Sequence, residues 1–110
     1  MQYIQLATKQ ESTLFDGFFA KFVHSERMTM TFVRIEAGKT LPEHSHPNEQ
    51  ITTVLEGSLE LTIGGETVVV RSGEVVVIPP DALHSGKALT ECRVIDVFAP
   101  HREDFKQKFS

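Results

Sequence analysis

The sequence has a single cysteine, Cys92, no tryptophan and one tyrosine in 110 residues. A lone cysteine excludes an internal disulfide framework and makes a reducing compartment the simpler setting. No apolar run approaches the roughly 20 residues that a membrane-spanning helix needs. The opening MQYIQLATKQ lacks the basic start and apolar stretch of a secretory leader, so a cytoplasmic chain is expected. There is no basic run either: eleven Lys and Arg against fifteen Asp and Glu leave a net charge of −4. Such a chain is a poor partner for nucleic acid or an anionic membrane surface. Linkers, repeats and low-complexity segments are absent, and the length suits one core, so residues 1–110 are expected to form a single domain.

What is present is a series of short β-like segments punctuated by Gly and Pro. Met28 to Ile35 alternates, with Val33 and Ile35 on one face and Phe32 and Arg34 on the other. Ile51 to Leu55 is rich in β-branched residues. Ser58 to Ile63 alternates strictly and meets Gly64-Gly65, a hairpin signal, before Thr67 to Arg71. Val75 to Ile78 stops at Pro79-Pro80, and Cys92 to Phe98 forms a last long strand. This spacing predicts an all-β sandwich or barrel. After Pro100, the acids Glu103 and Asp104 precede Lys106 and Lys108, which suits the dipole of a short helix over about residues 101–109. Phe15, Phe18, Phe19 and Phe22 read as a flap or turn packed on the core, or as part of a dimer contact.

The chemistry concentrates in three of the five histidines. Along a strand, side chains two apart share a face, so His44 and His46 are expected to converge on one point. Gln50 keeps the same parity if the strand runs on regularly, and His84 reaches the same point if the sheet closes. Convergent imidazoles are what a metal requires. Asp96 and Phe98 share a face with Cys92 and Val94; if that face lines the interior, Asp96 needs a partner, a metal or a task. The alternative is a pair with Arg102, or solvent exposure of both.

These residues sit in fixed frames. Gly38, five residues, His44-x-His46, three residues, Gln50, six residues and Gly57 make one; Gly73, five residues, Pro79, four residues and His84 make the other. The two frames resemble motifs one and two of the cupin superfamily, which implies a small antiparallel jelly-roll barrel, all-β, here with a short C-terminal helix. The glutamate common in the first motif is replaced by Gln50, with Glu49 beside it. Neighbours on a strand face opposite ways, so only one points inward: the spacing selects Gln50, and a bulge would select Glu49.

HSHPNEQ, VIPPDALH and DVFAPHREDF together resemble the KdgF-type cupins, enzymes of pectin and alginate breakdown. The resemblance implies conversion of 4,5-unsaturated monouronates, the lyase products, to the linear keto form. It implies one divalent metal held by His44, His46, Gln50 and His84, with Asp96, Phe98 and Arg102 as active-site residues. Three imidazoles and a neutral amide leave the full charge on the ion, favouring Lewis-acid chemistry and admitting Zn, Ni, Fe, Co or Mn. Asp96 is then the proton carrier, Arg102 the clamp for the uronate carboxylate and Phe98 a packing surface. The partner is a small molecule, a carboxylated sugar, and a homodimer is expected. Other cupin chemistries, a dioxygenase or a cyclase, or passive sugar binding, are the competing readings. His24 and His101 read as surface residues, Cys92 as an inert core residue and Glu43 as solvated.

Overall fold

The computed structural model describes residues 1–109. Its strands are β1 (Ser12–Phe15), β2 (Phe18–His24), β3 (Thr29–Ile35), β4 (Thr40–His44), β5 (Glu49–Glu56), β6 (Ser58–Ile63), β7 (Glu66–Arg71), β8 (Val75–Ile78), β9 (His84–Ala88) and β10 (Cys92–Ala99), followed by helix α1 (Glu103–Lys108). They form a six-stranded sheet in the order β1-β2-β3-β10-β5-β8 and a four-stranded sheet in the order β4-β9-β6-β7. All ladders are antiparallel. The all-β fold with a short terminal helix is as expected. The barrel, however, is not closed: the sheets face each other as a sandwich, and among the described residues no ladder joins one to the other. Among the described residues, no helix is long and apolar enough to cross a membrane.

Local sequence explains most elements. The alternation of Ser58–Ile63 buries Leu59 and Leu61, and Gly64 and Gly65 both take positive φ, as a two-residue hairpin turn requires. β8 ends where Pro79 removes the next ladder donor. β4 contains Pro42 and accordingly lies at a sheet edge. The aromatic N-terminal segment is neither flap nor isolated turn. It is the β1–β2 hairpin, turning at Asp16-Gly17, with Phe18, Ala20 and Phe22 inward and Phe19 outward. A run of phenylalanines disguises an alternation that is nonetheless there.

The interior is divided lengthwise. At one end Val33, Val94 and Val54 lie opposite one another on three neighbouring strands, packed with Phe18, Ile35, Leu59, Leu61, Val70 and Cys92. Two positions along, the same strands place Thr31, Asp96 and Thr52 in a row, and then Thr29, Phe98 and Gln50. The three inward faces thus change at the same height from a row of valines to the polar row of Thr31, Asp96 and Thr52. Helix α1 covers the polar end. Phe109 stacks on Phe22 with ring centres 4.6 Å apart, and Phe105 meets Phe22 edge-on at 5.4 Å. His24 also holds the helix end: its Nδ1 meets Thr29 Oγ1 at 3.0 Å and its Nε2 the Phe109 carbonyl at 3.0 Å.

Gly57, between β5 and β6, has φ +92°, and a Cβ there would run into the Glu91 carbonyl and Thr90 Oγ1. Gly64, with φ +56°, has open space around it. Gly57→Ala should therefore lower stability by about 2–3 kcal/mol, and Gly64→Ala by about 1 kcal/mol. Urea unfolding of both variants checks this; equal losses would mean that the crowding at Gly57 does not matter.

Candidate metal centre

His44, His46 and His84 offer nitrogen atoms that all lie within 4.8 Å of one another. Their convergence does not come from strand alternation. His44 is the last residue of β4, but His46 lies in the loop that leaves the four-stranded sheet for β5 of the six-stranded one. The pairing of His44 with His84 across the β4–β9 ladder brings those two together, with ring centres 4.2 Å apart. His46 is returned to them by its loop, whose carbonyl at His46 accepts the Asp81 N–H at 2.9 Å. Asp81 itself has φ +65°, a left-handed conformation that Asp tolerates, so the turn after Pro79-Pro80 buttresses the histidine loop.

Each imidazole is oriented by the backbone. Nδ1 of His44 meets the Pro42 carbonyl at 2.9 Å, Nδ1 of His46 the Asn48 carbonyl at 3.0 Å and Nδ1 of His84 the Ala82 carbonyl at 2.8 Å. A carbonyl only accepts, so in every ring the proton sits on Nδ1 and the Nε2 lone pair is turned to the cluster. This is the arrangement by which proteins prepare histidine for a metal. Burial lowers the His46 pKa, helped by the nearby Arg102 charge, and burial also lowers that of His84. Neutral, ligating imidazoles are thereby favoured.

Two further observations fit a cation. His84 Nε2 is buried and has no hydrogen-bond partner among the described residues. His46 Nε2 lies 3.0 Å from Gln50 Oε1. With the His46 proton on Nδ1, both atoms are acceptors and neither can donate to the other. The Gln50 amide is held in this sense by its other end, where Nε2 donates to Thr52 Oγ1 at 2.9 Å and to Asp96 Oδ1 at 3.2 Å. Facing lone pairs on buried atoms call for a shared positive charge. The residues therefore fit a metal ion, with Gln50 as a fourth donor. Gln50 is buried and Glu49 exposed, so the spacing-based choice agrees with the geometry.

Asp96 faces the same interior. Thr52 Oγ1 donates to its Oδ1 at 2.7 Å and Thr31 Oγ1 to its Oδ2 at 3.4 Å. Burial pushes its pKa up against these hydrogen bonds and the positive charge of Arg102. Arg102 does not pair with Asp96. Its Nε and Nη2 donate to Asp104 at 3.0 and 2.8 Å, and its guanidinium lies 4.9 Å from the Phe98 ring centre and 3.9 Å from that of Phe105. Phe98 also meets His46 edge-on at 5.5 Å. A cavity of about 230 Å³ is lined by His44, Gln50, His84, Asp96, Phe98 and Arg102 at its polar end and by apolar core residues beyond.

All seven candidate residues are thus gathered at one end of the sandwich. Thr31 and Thr52 were legible in principle, since they keep the parity of Val33 and Gln50, but a threonine on an inward face carries no signal of its own. Asp104 and Phe105 gave no signal beyond helix formation. His24 and His101 stay outside the cluster. His101 bridges the Glu26 carbonyl at 3.1 Å and Glu103 at 2.9 Å. Glu43 is exposed, and Cys92 is buried with its thiol pKa raised by that burial.

Comparison with known proteins shows the family of the chain. The cupin domain family matches residues 31–98. An uncharacterised protein of Streptomyces coelicolor is 30% identical over 86 residues, 77% of this chain and 82% of the relative. The pectin degradation protein KdgF of Dickeya dadantii is 33% identical over 93 residues, covering 82% of this chain and 84% of its own length. The solved structure of KdgF from Halomonas sp. superposes with a TM-score of 0.90 at 25% identity, over 96% of this chain and 98% of the other.

Elemental analysis of purified protein should find about one divalent transition-metal ion per chain. His46→Ala and His84→Ala should lose it, whereas His24→Ala and His101→Ala should keep it. Undiminished metal in the first pair would contradict the three-histidine centre.

Proposed function

This chain belongs to the cupin family, and on that footing we propose that it is a metal-dependent enzyme that opens 4,5-unsaturated monouronates to their linear keto form. The observation that carries the proposal is that Gln50 donates to Asp96 at one end of its amide and turns its oxygen to the histidine cluster at the other, with Arg102 at the edge of the same cavity. The KdgF relative, a pectin degradation protein, supports the substrate class.

The substrate is a cyclic enol ether and hemiacetal that bears a carboxylate. A divalent ion held by His44, His46, His84 and Gln50 would supply Lewis acidity toward a substrate oxygen, and Zn, Ni, Fe, Co or Mn all suit these donors. The four donors are neutral, unlike the two-histidine-one-carboxylate set of non-haem iron oxygenases, which favours this chemistry over oxygen activation. Asp96 moves the proton. It either accepts the proton of the anomeric hydroxyl as the ring C–O bond breaks, with water protonating the enol carbon, or delivers a proton to the enol carbon as the ketone forms while water takes the anomeric proton, and the net change is an isomerisation. Thr31, Thr52 and Gln50 fix the carboxylate so that its position does not depend on the substrate. Arg102 clamps the uronate carboxylate with paired N–H bonds. Phe98, between His46 and Arg102, packs on the sugar ring and excludes water.

The setting proposed is cytoplasmic, which suits the single free thiol, and the assembly a homodimer. The Phe-rich hairpin is mostly spent on the core. The outer face of the six-stranded sheet is the better contact surface, since Ile51, Val75 and Val77 lie there on paired strands, 41–58% exposed.

Asp96→Asn should lower kcat by about 10²–10⁴-fold while metal content stays at the wild-type level. Arg102→Ala should mainly raise KM, by roughly tenfold or more. A wild-type rate in Asp96→Asn would remove the proton carrier, and an unchanged KM in Arg102→Ala would remove the clamp. Sedimentation velocity at micromolar concentration should return the mass of two chains; the mass of one would contradict the dimer.

A further inference from the structure

Arg102 carries the proposed substrate contact, yet the guanidinium is already engaged on three sides. Phe105 and Phe98 lie against it at 3.9 and 4.9 Å, and Asp104 takes two of its N–H groups. The edge that Asp104 occupies decides what this means. Its Oδ1 meets Nε and its Oδ2 meets Nη2, so the carboxylate lies along the side of the fork. The end of the fork, between Nη1 and Nη2, is left over, and Nη1 has no hydrogen-bond partner among the described side chains and backbone groups. An arginine has five donors and can bind two carboxylates at once on different edges. The Arg102 side chain is buried to 10% exposure whereas Asp104 is 62% exposed, so the acid stands on the outer side of the pair. The Asp104 carboxyl is held below its usual pKa by the hydrogen bond from Arg102.

We propose that Asp104 is a positioning residue for the substrate's carboxylate. By fixing the Nε–Nη2 edge of Arg102, it presents the Nη1–Nη2 edge to the cavity before the substrate arrives. This rests on the reading that the ligand is a carboxylated sugar clamped by Arg102. A free arginine side chain loses conformational freedom when it grips a ligand, and prior immobilisation removes that loss from the binding step. Helix α1 thereby acquires a specific purpose. It sets Asp104 two residues past Arg102 in a helical first turn, and Phe105 and Phe109 anchor that turn on Phe22. Asp104 also lines the cavity, and as a competitor for the clamp it would have the opposite effect, its loss tightening the binding of a uronate.

The test has three readouts on metal-loaded protein. In steady-state kinetics with a 4,5-unsaturated monouronate, Asp104→Asn should raise KM roughly tenfold, with a much smaller change in kcat, and Asp104→Glu should recover most of the loss. In ¹⁵N–¹H spectra, the Arg102 Nε–H resonance, identified by its loss in Arg102→Lys, should be sharp in the wild type and exchange-broadened in Asp104→Asn. Isothermal titration calorimetry with D-galacturonate, a saturated uronate, should give roughly tenfold weaker binding in Asp104→Asn than in the wild type. A KM or galacturonate affinity that is unchanged or improved in Asp104→Asn overturns the proposal. If the wild type turns over no unsaturated uronate but galacturonate binding still depends on Asp104, the positioning role stands and the assigned reaction falls. If neither protein binds galacturonate, the positioning role falls as well.

Discussion

The amide of Gln50 is the joint on which the site depends. Its nitrogen is tied to Asp96 and Thr52, and its oxygen is therefore turned to the histidines. A glutamate at this position would set two carboxylates against each other in a buried space and would weaken the charge of any bound ion. A glutamine does neither. It links Asp96, the proposed proton carrier, to the histidines proposed to hold the metal through one neutral side chain held at both ends. The orientation of the donor set and the orientation of the acid are thus one structural fact, fixed by the β3–β10–β5 register that places Thr31, Asp96 and Thr52 in a row.

That register also explains how so small a domain contains a polar cavity without losing its core. The change from Val33, Val94 and Val54 to Thr31, Asp96 and Thr52 takes one step of the strand period. The apolar half provides the burial that holds the sheets together, and hydrogen bonds satisfy the row of Thr31, Asp96 and Thr52 in the polar half. Buried polar groups that are partnered rigidify a site, and the exceptions here, His84 Nε2 and the facing acceptors His46 Nε2 and Gln50 Oε1, all lie at the histidine cluster. The aromatic cluster of Phe22, Phe98, Phe105 and Phe109 then closes this end and carries the helix that holds Arg102.

Several of these features were legible in the residues alone, for physical reasons that differ. The β6–β7 hairpin was readable because strict alternation met two glycines. The inward course of Asp96 followed from its parity with Cys92 and Val94. β1 and β2 were missed because phenylalanines on both faces conceal the alternation, and β4 and β9 because a proline, a glycine and charged residues dilute any β signal in strands of five residues. The meeting of His44 and His46 was anticipated for the wrong reason. The strand ends at His44, and the loop held by Asp81 does what regular alternation was expected to do. The Asp104–Arg102 pair lay beyond sequence reading, because it needs the helix to be docked before the two side chains can share an edge.

The central claim is that these residues form one metal-dependent site for opening an unsaturated uronate. Its most direct measurement follows the absorbance of the conjugated double bond of a 4,5-unsaturated monouronate, with the metal-loaded protein and with the same protein after chelation and dialysis. The account predicts rapid loss of absorbance with the loaded protein, a rate close to that of buffer after chelation, and recovery when the metal is restored. Decay no faster than in buffer with fully loaded protein would contradict it.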